Sequence, residues 1–392
     1  LMAELLTFFV ILMAGLVFSE LFRRLHLPYV TALIIGGIII GPSLLNIAAV
    51  NEPILFFGSI GLIFLMFMAG SEIKLKSFKR TGKGIALLSI LNGVVPFVVG
   101  YWLGSVFGLG FITSIVLGIV FISSSVAVII PSLEVGGLIH TRLGESIVSA
   151  TVFEDIGSLL LLAFLMQSIA PQTPIPLVLY IPIIILLIFG LKKAIPPLEK
   201  IYHYNKRGQD LWESKLRFIF VILIATVVLF EFIGMQAIVA GFIIGILLSD
   251  SISGKIEEKI RTISYGIFIP TFFIIIGIQT DLSAFVNANS IILTLAIVVG
   301  LIASKTISGF VGGKILGFSK RESLIIGFAS IPQLSTTLAV AFIAVEFGMI
   351  SQELAASLVV LSTITTFVAP IAIKFLVTKE MQSTKGTQVA TA

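Results

Sequence analysis

Cysteine is absent from the 392-residue chain, and only 11 % of its residues are charged. The first absence excludes a disulfide framework, a cysteine-type zinc site and a thiol nucleophile. The three histidines, His26, His140 and His203, are spread through polar connectors, so no multi-histidine metal site is expected. The scarcity of charge excludes more. A soluble domain carries about 25 % charged residues. With 57 % hydrophobic residues and a mean hydropathy of +1.16, this chain would cover a soluble globule with apolar patches. Disorder is excluded too, because it requires low hydrophobicity and high net charge. The solvent of this chain is mostly lipid, and its 35 glycines point to close helix packing or broken helices within the bilayer.

A helix needs about 20 apolar residues to span the hydrocarbon core. Cutting at polar and Gly/Pro breaks predicts thirteen helices over residues 3–22, 29–47, 53–71, 84–107, 110–133, 142–168, 175–191, 216–233, 235–250, 262–280, 289–313, 321–345 and 351–375. The first lacks a basic segment before it, and Arg23 and Arg24 follow it, so it reads as a retained membrane helix and not a signal peptide. The longest polar break, 192–215, is a basic connector. It divides the chain into a first repeat with a linker helix (1–191) and a second repeat (216–378), followed by a polar tail (379–392).

Positive charge segregates on this scheme. Connectors after odd-numbered helices and the C-terminal end hold twenty-four of the 25 Lys and Arg residues. The positive-inside rule makes that side cytoplasmic, with the N-terminus outside and the C-terminus inside a cell membrane. The exception is Lys305, in the middle of the eleventh helix. Eighteen of the 20 acidic residues also lie in connectors or near helix ends, whereas Glu154 and Asp155 sit together at the centre of the sixth helix. Each ionisable group at mid-bilayer costs about 2.5–3.5 kcal/mol, so three unpaired ones cost on the order of 8–10 kcal/mol. An ion or proton pathway follows, with Lys305 and one acid as partners. A purely structural salt bridge accounts for one acid and the base but leaves the second acid unexplained.

The two halves resemble each other. Residues 64–78 align with 271–285 through Gly70 and Gly277, Leu75 and Leu282, and Phe78 and Phe285. Gly37 and Gly41 align with Gly241 and Gly245, Ser114 with Ser323, and Gly118 with Gly327. Helices 1–6 thereby map onto 8–13, and a shift by an odd number of helices inverts the topology, as in many secondary transporters. Such folds bind substrate near the midplane beside discontinuous helices. The fifth helix carries Ser123, Ser124 and Ser125 and then Pro131, and the twelfth carries Pro332, Gln333, Ser335 and Thr336. These repeat-related polar stretches predict a pair of broken helices lining a cavity. A Pro kink with Ser/Thr back-bonding in ordinary helices is the plainer alternative.

With the inverted six-plus-six repeat, the central acid pair and the lone helix-11 lysine, the chain resembles the monovalent cation:proton antiporters, in particular the bacterial and archaeal sodium/proton and Kef-type branch. LIFLMFMAGSEIKL (62–75), SSSVA (123–127), VFEDIGSLLLLA (152–163), PTFFIIIGIQTDL (270–282) and SKTISGF (304–310) carry the likeness nearly end to end. The resemblance implies an all-α membrane protein with two crossing broken helices and a moving core of helices 4–6 and 11–13 against a panel of 1–3 and 8–10, usually as a homodimer. It implies that Asp155 binds the cation (Na+ or K+) or protons in turn, and that Lys305 pairs with Glu154. Two departures stand out. The first acid is Glu, where relatives more often have Asp, Asn or Gln, and Gln333 and Thr336 stand where some relatives have Arg and Glu. Kef-type relatives carry a nucleotide-binding regulatory domain after the membrane part, and none is expected within these 392 residues.

The exchange expected is of Na+ or K+ for protons by alternating access. A sodium-coupled symporter of an organic anion shares such folds but predicts cationic groups near the helix breaks. A cation channel is the other alternative. No enzyme activity, cofactor or nucleic-acid partner is expected, because no paired histidines, metal-ligand cluster or Ser-His-Asp set lies at membrane depth.

Overall fold

A computed structural model of the chain describes residues 2–24, 29–72, 83–139, 141–169, 171, 173, 175–202, 213–249, 251–252, 254–282 and 287–389. Among them the secondary structure is helical throughout, without strands. The helices are α1 (Met2–Arg24), α2 (Tyr29–Ile40), α3 (Glu52–Ser71), α4 (Lys83–Val106), α5 (Phe111–Ile122), α6 (Val126–Val135), α7 (Arg142–Ile169) and α8 (Leu177–Tyr202). The second half continues with α9 (Ser214–Phe232), α10 (Ala237–Leu248) and α11 (Lys255–Ile263), which runs through a π-helical turn (Ser264–Phe268) into α12 (Ile269–Gln279). Then come α13 (Ala288–Ile315), α14 (Lys320–Ala329), α15 (Ser335–Glu346) and α16 (Gln352–Val389).

Each stretch expected to be helical holds a helix, but the second, 29–47, ends at Ile40, and 41–47 is turn and irregular backbone. Two other stretches, 110–133 and 321–345, fall on helix pairs separated by non-helical backbone. Among the described residues eight helices are long and apolar enough to cross a membrane, and α2, α5, α10 and α15 are shorter apolar helices. The connector expected at 192–215 is helical to Tyr202, and the part at 203–212, with His203, lies outside the described residues, as do His26 and His140. The polar tail begins as a continuation of α16, which runs on to Val389.

Local chemistry sets the helix starts. Asn51 caps α3 by accepting from the Ile54 N–H at 3.2 Å, and a proline follows in the first turn, where its missing N–H costs nothing. A capping box opens α14: the Ser319 hydroxyl accepts from the Glu322 N–H at 3.2 Å, and the Ser319 N–H donates to the Glu322 carboxylate at 2.8 Å.

The chain folds as two compact units, residues 1–75 with 160–279 and residues 76–159 with 280–392. In the first, α2 lies against α12 so closely that a Cβ on Gly277 would stand 2.8 Å from the Gly37 Cα. Likewise a Cβ on Gly245 of α10 would stand 3.0 Å from the Gly70 Cα of α3. In the second unit, a Cβ on Gly100 of α4 would stand 3.0 Å from the Gly118 Cα of α5, and one on Gly309 of α13 would stand 2.6 Å from the Gly327 Cα of α14. Backbones this close leave no room for a side chain, which is the small-residue mode of packing helices where apolar burial gives little drive.

At the C-terminal end of α3, beyond the apolar stretch, burial pushes the Glu72 carboxyl up to about 7 from its ordinary 4.5. Nearby Arg261 draws it down and Glu257 raises it further. Folding therefore disfavours the charged form, so the group's favourable contribution is complete below about pH 4.5 and is lost as pH rises through about 7.

Two outcomes are expected in detergent melting. Gly277→Ala lowers the melting temperature, because its methyl group meets the α2 backbone, whereas Gly190→Ala, at a position with open space, does not. Raising the pH from 5 to 8 costs the parent protein more thermal stability than it costs Glu72→Gln, which cannot ionise.

Candidate functional site

Extended backbone at Ser123–Ser125 separates α5 from α6, and a turn at Ser330 followed by a non-helical stretch to Leu334 separates α14 from α15. Pro332 helps cause the second break, since it lacks an N–H and pushes Ile331 out of helical geometry. Pro131 lies further on, inside α6, and is not part of the first break.

Both breaks lie in the second unit, and they are joined to each other. The Ser125 N–H donates to the Pro332 carbonyl at 2.7 Å, and the Ser124 hydroxyl approaches the Ser330 carbonyl at 2.7 Å. The Gln333 side-chain amide donates to the Ser123 carbonyl, its oxygen accepts from Ser123 Oγ at 3.2 Å and from the Thr337 hydroxyl, and its own N–H donates to Thr365 Oγ1 at 3.1 Å. Backbone groups that no helix satisfies are thus satisfied across the crossing, which is the condition for non-helical chain at membrane depth.

Beside this crossing lies the ion pair expected from the sequence. Lys305 Nζ is 2.7 Å from Glu154 Oε2, and both side chains are fully buried. The ammonium also faces the Ile122 carbonyl at 2.5 Å, Ser124 Oγ at 3.0 Å and the Asn92 carbonyl at 3.2 Å. Ile122 is the last residue of α5, so the lysine sits at the negative end of a half-helix as well as against a carboxylate. Glu154 Oε2 accepts a second bond from the Ser124 hydroxyl at 2.8 Å.

Asp155, the next residue along α7, has a different environment. It is buried, and it faces the Thr336 side chain and the Ser124 backbone N–H. Its Oδ1 has no hydrogen-bond partner, and neither have Ser125 Oγ, Thr336 Oγ1 and Glu154 Oε1, all of them buried. Such groups are rare in folded proteins and each calls for a reason. Of these oxygens, Thr336 Oγ1 belongs to the side chain that faces Asp155, and carboxylate and hydroxyl oxygens are donors that suit a hard monovalent cation. Ser335 is buried in the first turn of α15. The nine residues singled out in the sequence therefore all fall at the two breaks or on the helices α7 and α13 of the same unit. No cluster of three or more metal-ligating His, Cys, Asp or Glu residues occurs among the described residues.

A filter for ionisable groups passed over Asn92. This asparagine is fully buried in α4 and donates through Nδ2 to Ser330 Oγ at 2.6 Å, while its Oδ1 accepts from Ser308 Oγ at 2.6 Å. Its sequence signal was available: an amide in the middle of the apolar α4, far from either end.

Removing one partner of a buried pair leaves the other charge uncompensated, at a cost of about 3–5 kcal/mol. We therefore expect Lys305→Met to melt at a markedly lower temperature than the parent in detergent. The double variant Glu154→Leu with Lys305→Met should recover most of that loss.

Comparison with known proteins places this geometry in context. The model of the transmembrane sodium/hydrogen exchanger family matches residues 8–379. A probable Na(+)/H(+) antiporter 3 from Methanocaldococcus jannaschii is 34 % identical over 94 % of this chain and 95 % of its own length. The Na(+)/H(+)-K(+) antiporter GerN from Bacillus cereus is 27 % identical over 93 % of this chain and 94 % of its own. Among solved structures, the sodium proton antiporter MjNhaP1 from Methanocaldococcus jannaschii has the same fold, with a TM-score of 0.70 at 17 % identity over 96 % of both chains. The chain is a multi-pass membrane protein that belongs to the sodium/hydrogen exchanger family.

Proposed function

We infer that the protein exchanges a monovalent cation, Na+ or K+, for protons, and that Asp155 is the group at which the two compete. The observation that carries the reading is the buried Asp155 carboxylate with an unpartnered oxygen, facing the Thr336 side chain and the Ser124 N–H where two broken helices meet. A carboxylate in that setting holds either a proton or a small cation, since both use the same lone pairs. The Ser124 N–H orients the carboxylate, and the hydroxyls stand in for the water that a cation leaves behind. No ligand beyond the transported ions is needed for this chemistry.

Glu154 and Lys305 form the second part of the site. Adjacent helical residues point about 100° apart, so Glu154 turns to the lysine while Asp155 turns to the hydroxyls. If the pair loses its proton during a cycle, net charge moves, and the cycle responds to membrane potential by about 2.3 kcal/mol per charge per 100 mV. All these groups belong to one compact unit, which supports an elevator-like cycle in which that unit carries the loaded site across as a body. The segregation of Lys and Arg supports an N-terminus outside and a C-terminus in the cytoplasm of a cell membrane. The family resemblance supports a homodimer in the bilayer.

Proteoliposomes with an internal pH dye test the reading. Adding Na+ or K+ outside should alkalinise the interior as protons leave in exchange, and Asp155→Asn should abolish the signal with either cation. An Asp155→Asn protein that still exchanged would overturn it.

A further inference from the structure

The break between α14 and α15 has a support that takes no part in the reading above. Its carbonyls at Ser330 and Pro332 face the first break, through the Ser124 hydroxyl and the Ser125 N–H, each at 2.7 Å. The N–H groups of Ser330 and Ile331 turn back into α14. Pro332 has no N–H to place. The Gln333 N–H is the one that α16 meets, at Thr365 Oγ1, 3.1 Å away, and both residues are fully buried. We propose that Thr365 is a positioning residue for cation binding, which holds the Gln333 peptide and with it the first turn of α15.

Thr365 can do this because its own hydrogen is used elsewhere. The hydroxyl donates within α16, to the Leu361 carbonyl at 2.8 Å, with the Ser362 carbonyl at 3.2 Å. Back-bonding of this kind leaves the lone pairs of the oxygen free, and here one of them takes the Gln333 N–H. Thr366, the next residue, is also buried, and its hydroxyl bonds to the Ser362 and Thr363 carbonyls of its own helix at 2.9 Å each. Adjacent helical residues point about 100° apart, so of the two hydroxyls it is that of Thr365 that meets the break.

What the support fixes is the start of α15. Gln333 is tied by its N–H to α16, by its side-chain amide to the Ser123 carbonyl, and by its side-chain oxygen to the Thr337 hydroxyl one turn on. Thr336 stands within that turn, its side chain facing Asp155. A cation is held by oxygens at set distances, so a shift of the turn takes Thr336 Oγ1 away from the place where it would meet the ion. With its acceptor gone, the buried Gln333 N–H stays unpaired unless the peptide moves, and moving it shifts the turn. The effect falls on cation affinity.

The inference rests on the reading that the cation binds between Asp155 and Thr336, and the experiment separates the two. Apparent KM and maximal exchange rate are measured in proteoliposomes, with Na+ or K+, whichever the parent exchanges. The variants are Thr365→Val, Thr365→Cys, Thr365→Ser, Thr366→Val and Thr336→Val. Thr365→Val keeps the shape and removes the acceptor, so it should raise the apparent KM about tenfold with the maximal rate close to the parent's. Thr365→Ser keeps the hydroxyl and should return the parent's KM, and Thr366→Val, which removes the adjacent buried hydroxyl, should leave it in place. A merely structural role would lower the maximal rate, as less protein folds, with KM unchanged. Thr365→Cys carries a weaker acceptor and should fall between the serine and valine variants, so the series decides even where the valine variant does not fold. A parent-like KM in the Thr365 variants that fold, or an equal rise in Thr366→Val, with KM raised in Thr336→Val, would overturn the role of Thr365 alone. A Thr336→Val protein with the parent's KM would overturn the placement of the cation and this inference with it.

Discussion

The constraint on which the rest of the structure depends is the cost of leaving a charge or a backbone dipole unmatched away from water. Lys305 shows how the protein meets it. Its ammonium is surrounded by a carboxylate, a hydroxyl and two carbonyls, one of them the last carbonyl of α5. A continuous helix would have used the Ile122 carbonyl within its own ladder. The break at Ser123 frees it to solvate the lysine, and the lysine in turn satisfies a group the break exposes. Ion pair and broken helix therefore support each other, the break freeing a carbonyl for the ammonium and the ammonium satisfying it.

The same dependence links the two breaks. Ser123 and Ser125 have backbone groups without helical partners, and these are met by the Gln333 amide and the Pro332 carbonyl. A lone broken helix at mid-membrane would have to find water. Two repeat-related ones find each other, which gives a physical reason for the repeat as well as an evolutionary one.

Much of this was legible before any coordinates. The glycine matches between the halves, noticed as weak similarity, turn out to mark contact points: Gly37 meets Gly277, and Gly245 meets Gly70. On the expected repeat these two packings correspond helix for helix, α2 with α10 and α12 with α3, although residue for residue Gly37 aligns with Gly241 and Gly245 with Gly41. The pair Gly118 and Gly327 marks the α4–α5 and α13–α14 approaches in the same way, through Gly100 and Gly309. Scarcity of charge made Glu154, Asp155 and Lys305 visible, since in a charge-rich chain three more would not stand out. What stayed hidden had no such contrast. Asn92 is uncharged, and the chain has many serines and threonines, a large share of which bond to a carbonyl three or four residues back in their own helix. That Ser124, Ser308 and Ser330 do more than this depends on which helices meet, and periodicity carries no information about it. Glu72 was hidden for a related reason: it stands at a helix end, where an acid is ordinary, and its burial is supplied by neighbours distant in sequence.

If Asp155 is the exchanging group proposed above, charge accounting in the site gives the exchange its logic. Glu154 and Lys305 cancel, and Gln333 at the crossing adds no charge, so an empty site with Asp155 ionised carries a single negative charge. Moving that charge through a low-dielectric barrier is costly. Either a proton or a monovalent cation on Asp155 removes it, and the two loaded forms are then equivalent to the barrier though not to the oxygens that bind them. The empty form is the one that is held back. A second base near Asp155 would remove this distinction by making the empty site neutral, and with it the reason for the unloaded carrier to stay where it is. On that proposal the neutrality of Gln333 and Thr336 is part of the coupling, because it leaves the one uncompensated charge to be cancelled only by the ions that are exchanged.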